Sequence, residues 1–129
     1  YTLPEVSQTV ILTRMEGRTP VPEKEDIAKL AAHGATMVIF LTTTMLGELS
    51  RRLIQGGYAP DAPAAIVYKA TWPDERVVHT TVAELEQAAA DNGIRKMALI
   101  TVGGFLGRNY ERSKLYDPGF THEFREATR

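Results

Sequence analysis

At 129 residues the chain is the size of a single domain with a core of its own. Without any Cys it can build neither a disulfide framework nor a thiolate metal site, and a net charge of −1 gives no general pull toward nucleic acid or anionic lipid. The longest apolar run, Met37 to Leu41, is far too short to span a bilayer and no signal peptide is visible, so a cytoplasmic protein is expected. His33, His79 and His122 stand far apart without metal-ligand spacing, so no metal site is expected either.

Residues Tyr1 to Ser7 read as a connector, and an opening Tyr in place of Met reads as a piece of a longer protein. An α/β core follows over residues 8–104. Thr9 to Thr13 is β-branched and apolar, a strand; Met15 to Pro22 contains one Gly and two Pro and cannot hold regular structure. A helix is expected from Glu23. Its early Glu23, Glu25 and Asp26 suit the positive end of the helix dipole, Ile27, Leu30 and Ala31 form its apolar stripe, and Gly34 stops it. Thr36 to Leu41 is apolar throughout, as in a strand covered on both faces.

The hydroxyls of Thr42, Thr43 and Thr44 are placed to cap a second helix, which buries Met45, Leu46, Leu49, Leu53 and Ile54 and ends at Gly56-Gly57. Ala64 to Tyr68 is a third strand, and Trp72-Pro73-Asp74-Glu75 turns it into an antiparallel partner at Arg76 to Thr80. Thr81 and Glu84 have the spacing of a capping box for a third helix carrying Val82, Leu85, Ala88 and Ala89 inward, stopped by Asn92-Gly93. Lys96 to Val102 is a fifth strand, broken by Gly103-Gly104. The order β-α-β-α-β-β-α-β predicts a three-layer α/β/α fold with a mixed five-stranded sheet and three to four helices. Residues 105–129 form a polar, aromatic tail without a clear period; Tyr110, Tyr116, Phe120 and Phe124 argue against simple disorder.

The chain contains no nucleophile motif, P-loop or dinucleotide-binding glycine pattern, and its carboxylates scatter over helix faces. Two features remain. Strand ends turn polar or small at Leu41-Thr42-Thr43 and at Lys69-Ala70-Thr71, where backbone N–H and C=O groups can read a ligand. The bland reading gives the threonines to helix capping and makes Trp72 a cover for the core. Arg14 and Arg18 flank an irregular Gly/Pro segment and suit a ligand with several carboxylates, because a guanidinium pairs with them bidentately; ordinary surface arginines are the competing reading.

Residues 8–22 (Q-T-V-I-L-T-R-M-E-G-R-T-P-V-P), 67–75 (V-Y-K-A-T-W-P-D-E), 92–96 (N-G-I-R-K) and 113–125 (S-K-L-Y-D-P-G-F-T-H-E-F-R) closely resemble the tetrapyrrole methylase family. They look most like its members that methylate ring carbon C11 of a reduced tetrapyrrole on the way to cobalamin. The likeness covers the C-terminal half of such a two-domain enzyme; the N-terminal domain is absent from this chain. It implies S-adenosylmethionine as methyl donor in a cleft between the domains, a tetrapyrrole substrate with or without cobalt, the enzyme's own N-terminal domain as partner, and a homodimer. Donor contact then falls on Leu41 (often Met in relatives), Thr42 and Ala70 (Gly or Ala in relatives), with Val102 a weaker candidate. Arg14 and Arg18 take the acetate and propionate groups of the substrate. Alone, the half is expected to be inactive. The alternative is a non-catalytic module that dimerises or docks a partner through its aromatic tail.

Overall fold

A computed structural model describes residues 2–40 and 44–107. Its frame is a five-stranded sheet in the order β1-β2-β5-β3-β4, formed by β1 (Val10–Arg14), β2 (Thr36–Phe40), β3 (Pro63–Tyr68), β4 (Arg76–Thr81) and β5 (Ala98–Val102). Only β1 and β2 run parallel; the other three pairings are antiparallel. The mixed α/β sheet expected from the element order is therefore present, with every strand within a residue or two of its expected bounds.

Three helices pack on this sheet: α1 (Ile27–Ala31), α2 (Leu46–Gly56) and α3 (Leu85–Asp91). Strand alternation explains which face they choose. Met37 and Ile39 of β2, Ile100 and Val102 of β5, and Ala64 and Ile66 of β3 lie side by side in the register and point to one face. They share a single core cluster with Ile27, Leu46, Leu49, Leu53, Leu85 and Ala89 of the helices. The opposite face carries Leu12, 68% exposed, and Val77, 50% exposed. A second helical layer, expected on that face, has no member among the described residues.

Local chemistry moves several boundaries. The first helix does not start at Glu23: residues Glu23–Glu25 form a short 3-10 turn, and the extended backbone of Asp26 breaks the run. Asp26 then caps α1, its carboxylate accepting from the N–H of Ala28. Met45, not a threonine, stands at the start of α2 and makes no side-chain cap; Thr42 and Thr43 lie outside the described residues. The Thr81/Glu84 capping box does not form either. The N–H groups of Val82 and Ala83 are taken by the carbonyls of Ala62 and Pro60, so the threonine hydroxyl has neither of these two donors to cap.

Two ties hold the helical layer together. Arg52 on α2 pairs with Asp26 at 2.8 Å and with Glu48 at 3.1 Å, joining the cap of α1 to the next helix. Ser50, buried on α2, donates to the carbonyl of Val82 at 2.7 Å. Gly56, expected to stop the helix, is its last member, and a Cβ there would lie 2.3 Å from the carbonyl oxygen of Ala28. The absent side chain lets α2 close on α1; Gly57, with φ of +130°, ends the helix. Gly56→Ala is accordingly expected to destabilise the fold by about 1–3 kcal/mol through overpacking, read by chemical denaturation. An unchanged midpoint would show that the two helices separate at no cost.

Candidate functional site at one end of the sheet

The direction of β5 decides what meets what. It lies between β2 and β3 and runs antiparallel to both, so those two strands point the same way. β1 is parallel to β2, with Arg14 opposite Phe40. The C-terminal ends of β1, β2 and β3 thus come to one end of the sheet, joined there by the start of β5 and of β4. At two strand spacings, Phe40 and Tyr68 stand on lines about 10 Å apart. Ala70 and Arg14 are gathered at this end. Leu41 and Thr42 directly follow Phe40 and lie outside the described residues.

Val102 is not part of this group. It pairs with Met37 and Ala64 at the opposite end of the sheet and is fully buried in the core. Its selection assumed that the last strand ends where the others do; an antiparallel β5 sends its end the other way.

The hairpin between β3 and β4 is built under strain. Lys69 has φ of 48° and Thr71 has φ of 71°, with half-buried Ala70 between them. For a β-branched residue such a φ is a genuine outlier. The third positive-φ residue other than Gly among the described residues is Met97, φ 58°, just before β5. All three sit together: the N–H of Lys69 donates to the carbonyl of Met97 at 2.8 Å. Strain of this sort costs on the order of 1–3 kcal/mol per residue and persists only where the surroundings enforce it. Here the enforcement is visible. The N–H of Thr71 donates to the Glu75 carboxylate at 3.0 Å, that of Trp72 to the Lys69 carbonyl at 3.0 Å, and that of Glu75 to the Trp72 carbonyl at 3.0 Å. The Lys69 ammonium pairs with Asp74 at 2.7 Å and lies 5.4 Å from the ring centres of both Tyr68 and Trp72. Trp72, half-exposed, is thus one wall of this turn and no member of the core cluster.

Arg14 and Arg18 have different surroundings. The Arg14 guanidinium donates to the carbonyls of Thr19 and Pro20, both at 3.0 Å, and makes a longer contact to that of Met15. It braces the irregular loop after β1. Arg18 is exposed and forms no ion pair with a described residue. Two cavities adjoin Arg14. One, about 350 Å³, is lined by Glu16, Glu23 and Asp26 against Arg14 and Lys29, a balance that disfavours a carboxylate-rich ligand. The other, about 390 Å³, is lined by Leu12, Arg14, Val21, Pro22 and Phe40 and joins an apolar wall to one guanidinium. Among the described residues no group of His, Asp or Glu could hold a metal ion.

Sequence reasoning marked Lys69, Ala70 and Thr71 but not the ties that join them to Met97 and Glu75. Backbone φ leaves no mark in residue type when a Thr occupies a position that Gly would fit, so only the T-W-P-D-E spacing hinted at a closed turn.

A sheet of this topology, with strand ends gathered at one side, defines an α/β protein, a class in which such strand ends commonly form the ligand crevice. The family of Tetrapyrrole (Corrin/Porphyrin) Methylases matches residues 1–86, and the chain belongs to that family. It is 48% identical, over 99% of its length and 51% of the relative's, to a cobalt-precorrin-4 C(11)-methyltransferase of Priestia megaterium. The X-ray structure of a cobalamin biosynthetic enzyme, cobalt precorrin-4 methyltransferase, superposes with a TM-score of 0.80 at 50% identity, covering 83% of this chain and 45% of that one. A uroporphyrin-III C-methyltransferase of Thermus thermophilus, complexed with S-adenosylhomocysteine, shares the fold at 20% identity, TM-score 0.62, covering 82% of this chain and 44% of that one. The chain spans about half the length of the curated relatives it matches.

The ion pair at the hairpin makes a pH prediction. The hydrogen bond from Lys69 holds the Asp74 carboxyl below its ordinary 3.8. A depressed carboxylate pKa stabilises the fold above the unfolded value, and the gain disappears as pH falls through the folded one. An NMR titration should place the Asp74 midpoint below 3.8 and return it toward that value in Lys69→Met. A midpoint at or above 3.8 in the parent chain means that the pair is not formed in solution.

Proposed function

We propose that the chain is one half of an S-adenosylmethionine-dependent methyltransferase that methylates C11 of precorrin-4 or cobalt-precorrin-4 in cobalamin biosynthesis. The observation that carries this reading is the meeting of Ala70 with the end of β2 at one end of the sheet, in a chain half-identical to enzymes of that name. Bound there, S-adenosylmethionine supplies a sulfonium methyl for an electron-rich ring carbon.

The chain's own residues align and exclude; none acts as an acid or base. Ala70, with its small side chain between two pinned residues, lets a ligand lie against the backbone. Leu41 and Thr42, next in sequence after β2, are assigned to contact with the donor. Arg18, unpaired among the described residues, binds substrate carboxylates, while Arg14 shapes the loop that carries it and offers its remaining N–H groups. Alignment of this kind can lower a barrier by roughly 7–11 kcal/mol without a strong base. The reading includes a homodimer in the cytoplasm and makes this chain the C-terminal half. The parent reading frame decides the last point: a family domain encoded upstream of Tyr1 supports it, and one encoded downstream of Arg129 overturns it.

Calorimetry with S-adenosylhomocysteine separates this from a non-catalytic docking module. The full two-domain protein should bind it; absence of binding there removes the methyltransferase reading. Residues 1–129 alone should transfer no methyl, and measurable turnover would contradict the division of the site between two halves. In the full protein Arg18→Ala should raise KM for the tetrapyrrole roughly ten-fold with kcat little changed, the pattern of lost uniform binding. Unchanged KM would take Arg18 out of the substrate site.

A further inference from the structure

Ala70 is singled out by more than its size. Among the described residues neither its N–H nor its C=O takes part in a hydrogen bond, although the N–H groups of Lys69, Thr71 and Trp72 and the carbonyl of Lys69 are all engaged. The two residues on either side hold left-handed backbone that neither Lys nor Thr prefers. Thr71 in particular would relax to negative φ if released, and that relaxation would swing the Ala70–Thr71 peptide. Two bonds oppose it: the turn bond from the Trp72 N–H to the Lys69 carbonyl at 3.0 Å, and the only side-chain tie to Thr71 among the described residues, from its N–H to the carboxylate of Glu75 at 3.0 Å.

We infer that Glu75 is a positioning residue: it holds Thr71 in the left-handed conformation and thereby presents the free peptide groups of Ala70 to the polar edge of the methyl donor. The inference rests on the donor site proposed above. Glu75 itself touches no ligand in this scheme. It lies at the exposed foot of the turn, its N–H bonded to the Trp72 carbonyl, and acts only through the backbone of Thr71. Lys69 is held further by Met97 and Asp74, and the bond from the Trp72 N–H to the Lys69 carbonyl bridges the two sides of Ala70.

This arrangement has a signature that a direct contact lacks. Removal of the fastener harms binding only while residue 71 resists positive φ; glycine, which adopts φ > 0 about as readily as φ < 0, makes the fastener unnecessary. The test is calorimetric titration of the full two-domain protein with S-adenosylhomocysteine. Glu75→Ala should weaken affinity roughly ten-fold by loss of pre-organisation. Glu75→Gln, which keeps a side-chain oxygen acceptor, should bind nearly as the parent does. Thr71→Gly added to Glu75→Ala should recover most of the lost affinity. Unchanged affinity in Glu75→Ala overturns the inference, as does a loss that Thr71→Gly fails to rescue, since Glu75 then acts by contact with the donor or through general stability. Failure of Glu75→Ala to fold overturns it as well. Binding absent already in the parent protein removes the donor reading itself, a result distinct from either.

Discussion

The placement of β5 governs the rest of the molecule. Because the last strand enters between β2 and β3 and runs against both, two strands that never touch point the same way and end at the same side of the sheet. The helices follow from the same register. Fixing Met37 beside Val102 and Ala64 sets one face of three strands apolar and continuous, and α1, α2 and α3 have that face to cover. A one-residue slip in β5 would turn Ile100 and Val102 away from the core and put Leu99 and Thr101 in their place.

Much of this was legible in the residues and some was not, for physical reasons. Strands such as Thr36–Phe40 and Pro63–Tyr68 announce themselves because β-branched and apolar residues cluster between turn formers. The hairpin to β4 and the mixed character of the sheet follow from turn chemistry alone. Strand order is a tertiary property, and nothing in Ala98–Val102 states which neighbours it will find or to which end of the sheet it will carry Val102. The missed caps have a related cause. Whether Thr81 caps a helix depends on what the loop at Pro60 to Ala62 offers to the same N–H groups. That Arg14 braces its own loop was not legible, since its partners are main-chain carbonyls of that loop.

The site end of the sheet and the core end are held by different physics. Around Leu49, Leu53 and Ile100 the structure rests on dense apolar contact, tolerant of charge and salt. Around Ala70 it rests on hydrogen bonds, one ion pair and two ring contacts that restrain backbone in unfavourable conformations. A strained turn on a rigid sheet edge keeps a small-residue position fixed without surrounding it with bulk.

The free side chain missing from Gly56 and the late arrival of β5 also speak to how the chain assembles. The β1-α1-β2 segment and the β3-β4 hairpin are each local in sequence, yet neither pairs with the other directly. Both wait for the last strand, which joins them by the longest-range pairings in the sheet. During synthesis the ribosome thus holds two half-sheets with open edges until Ala98–Val102 emerges, and closure is a single late event. Truncation just before β5 would remove the one strand among the described residues that pairs with both halves of the sheet.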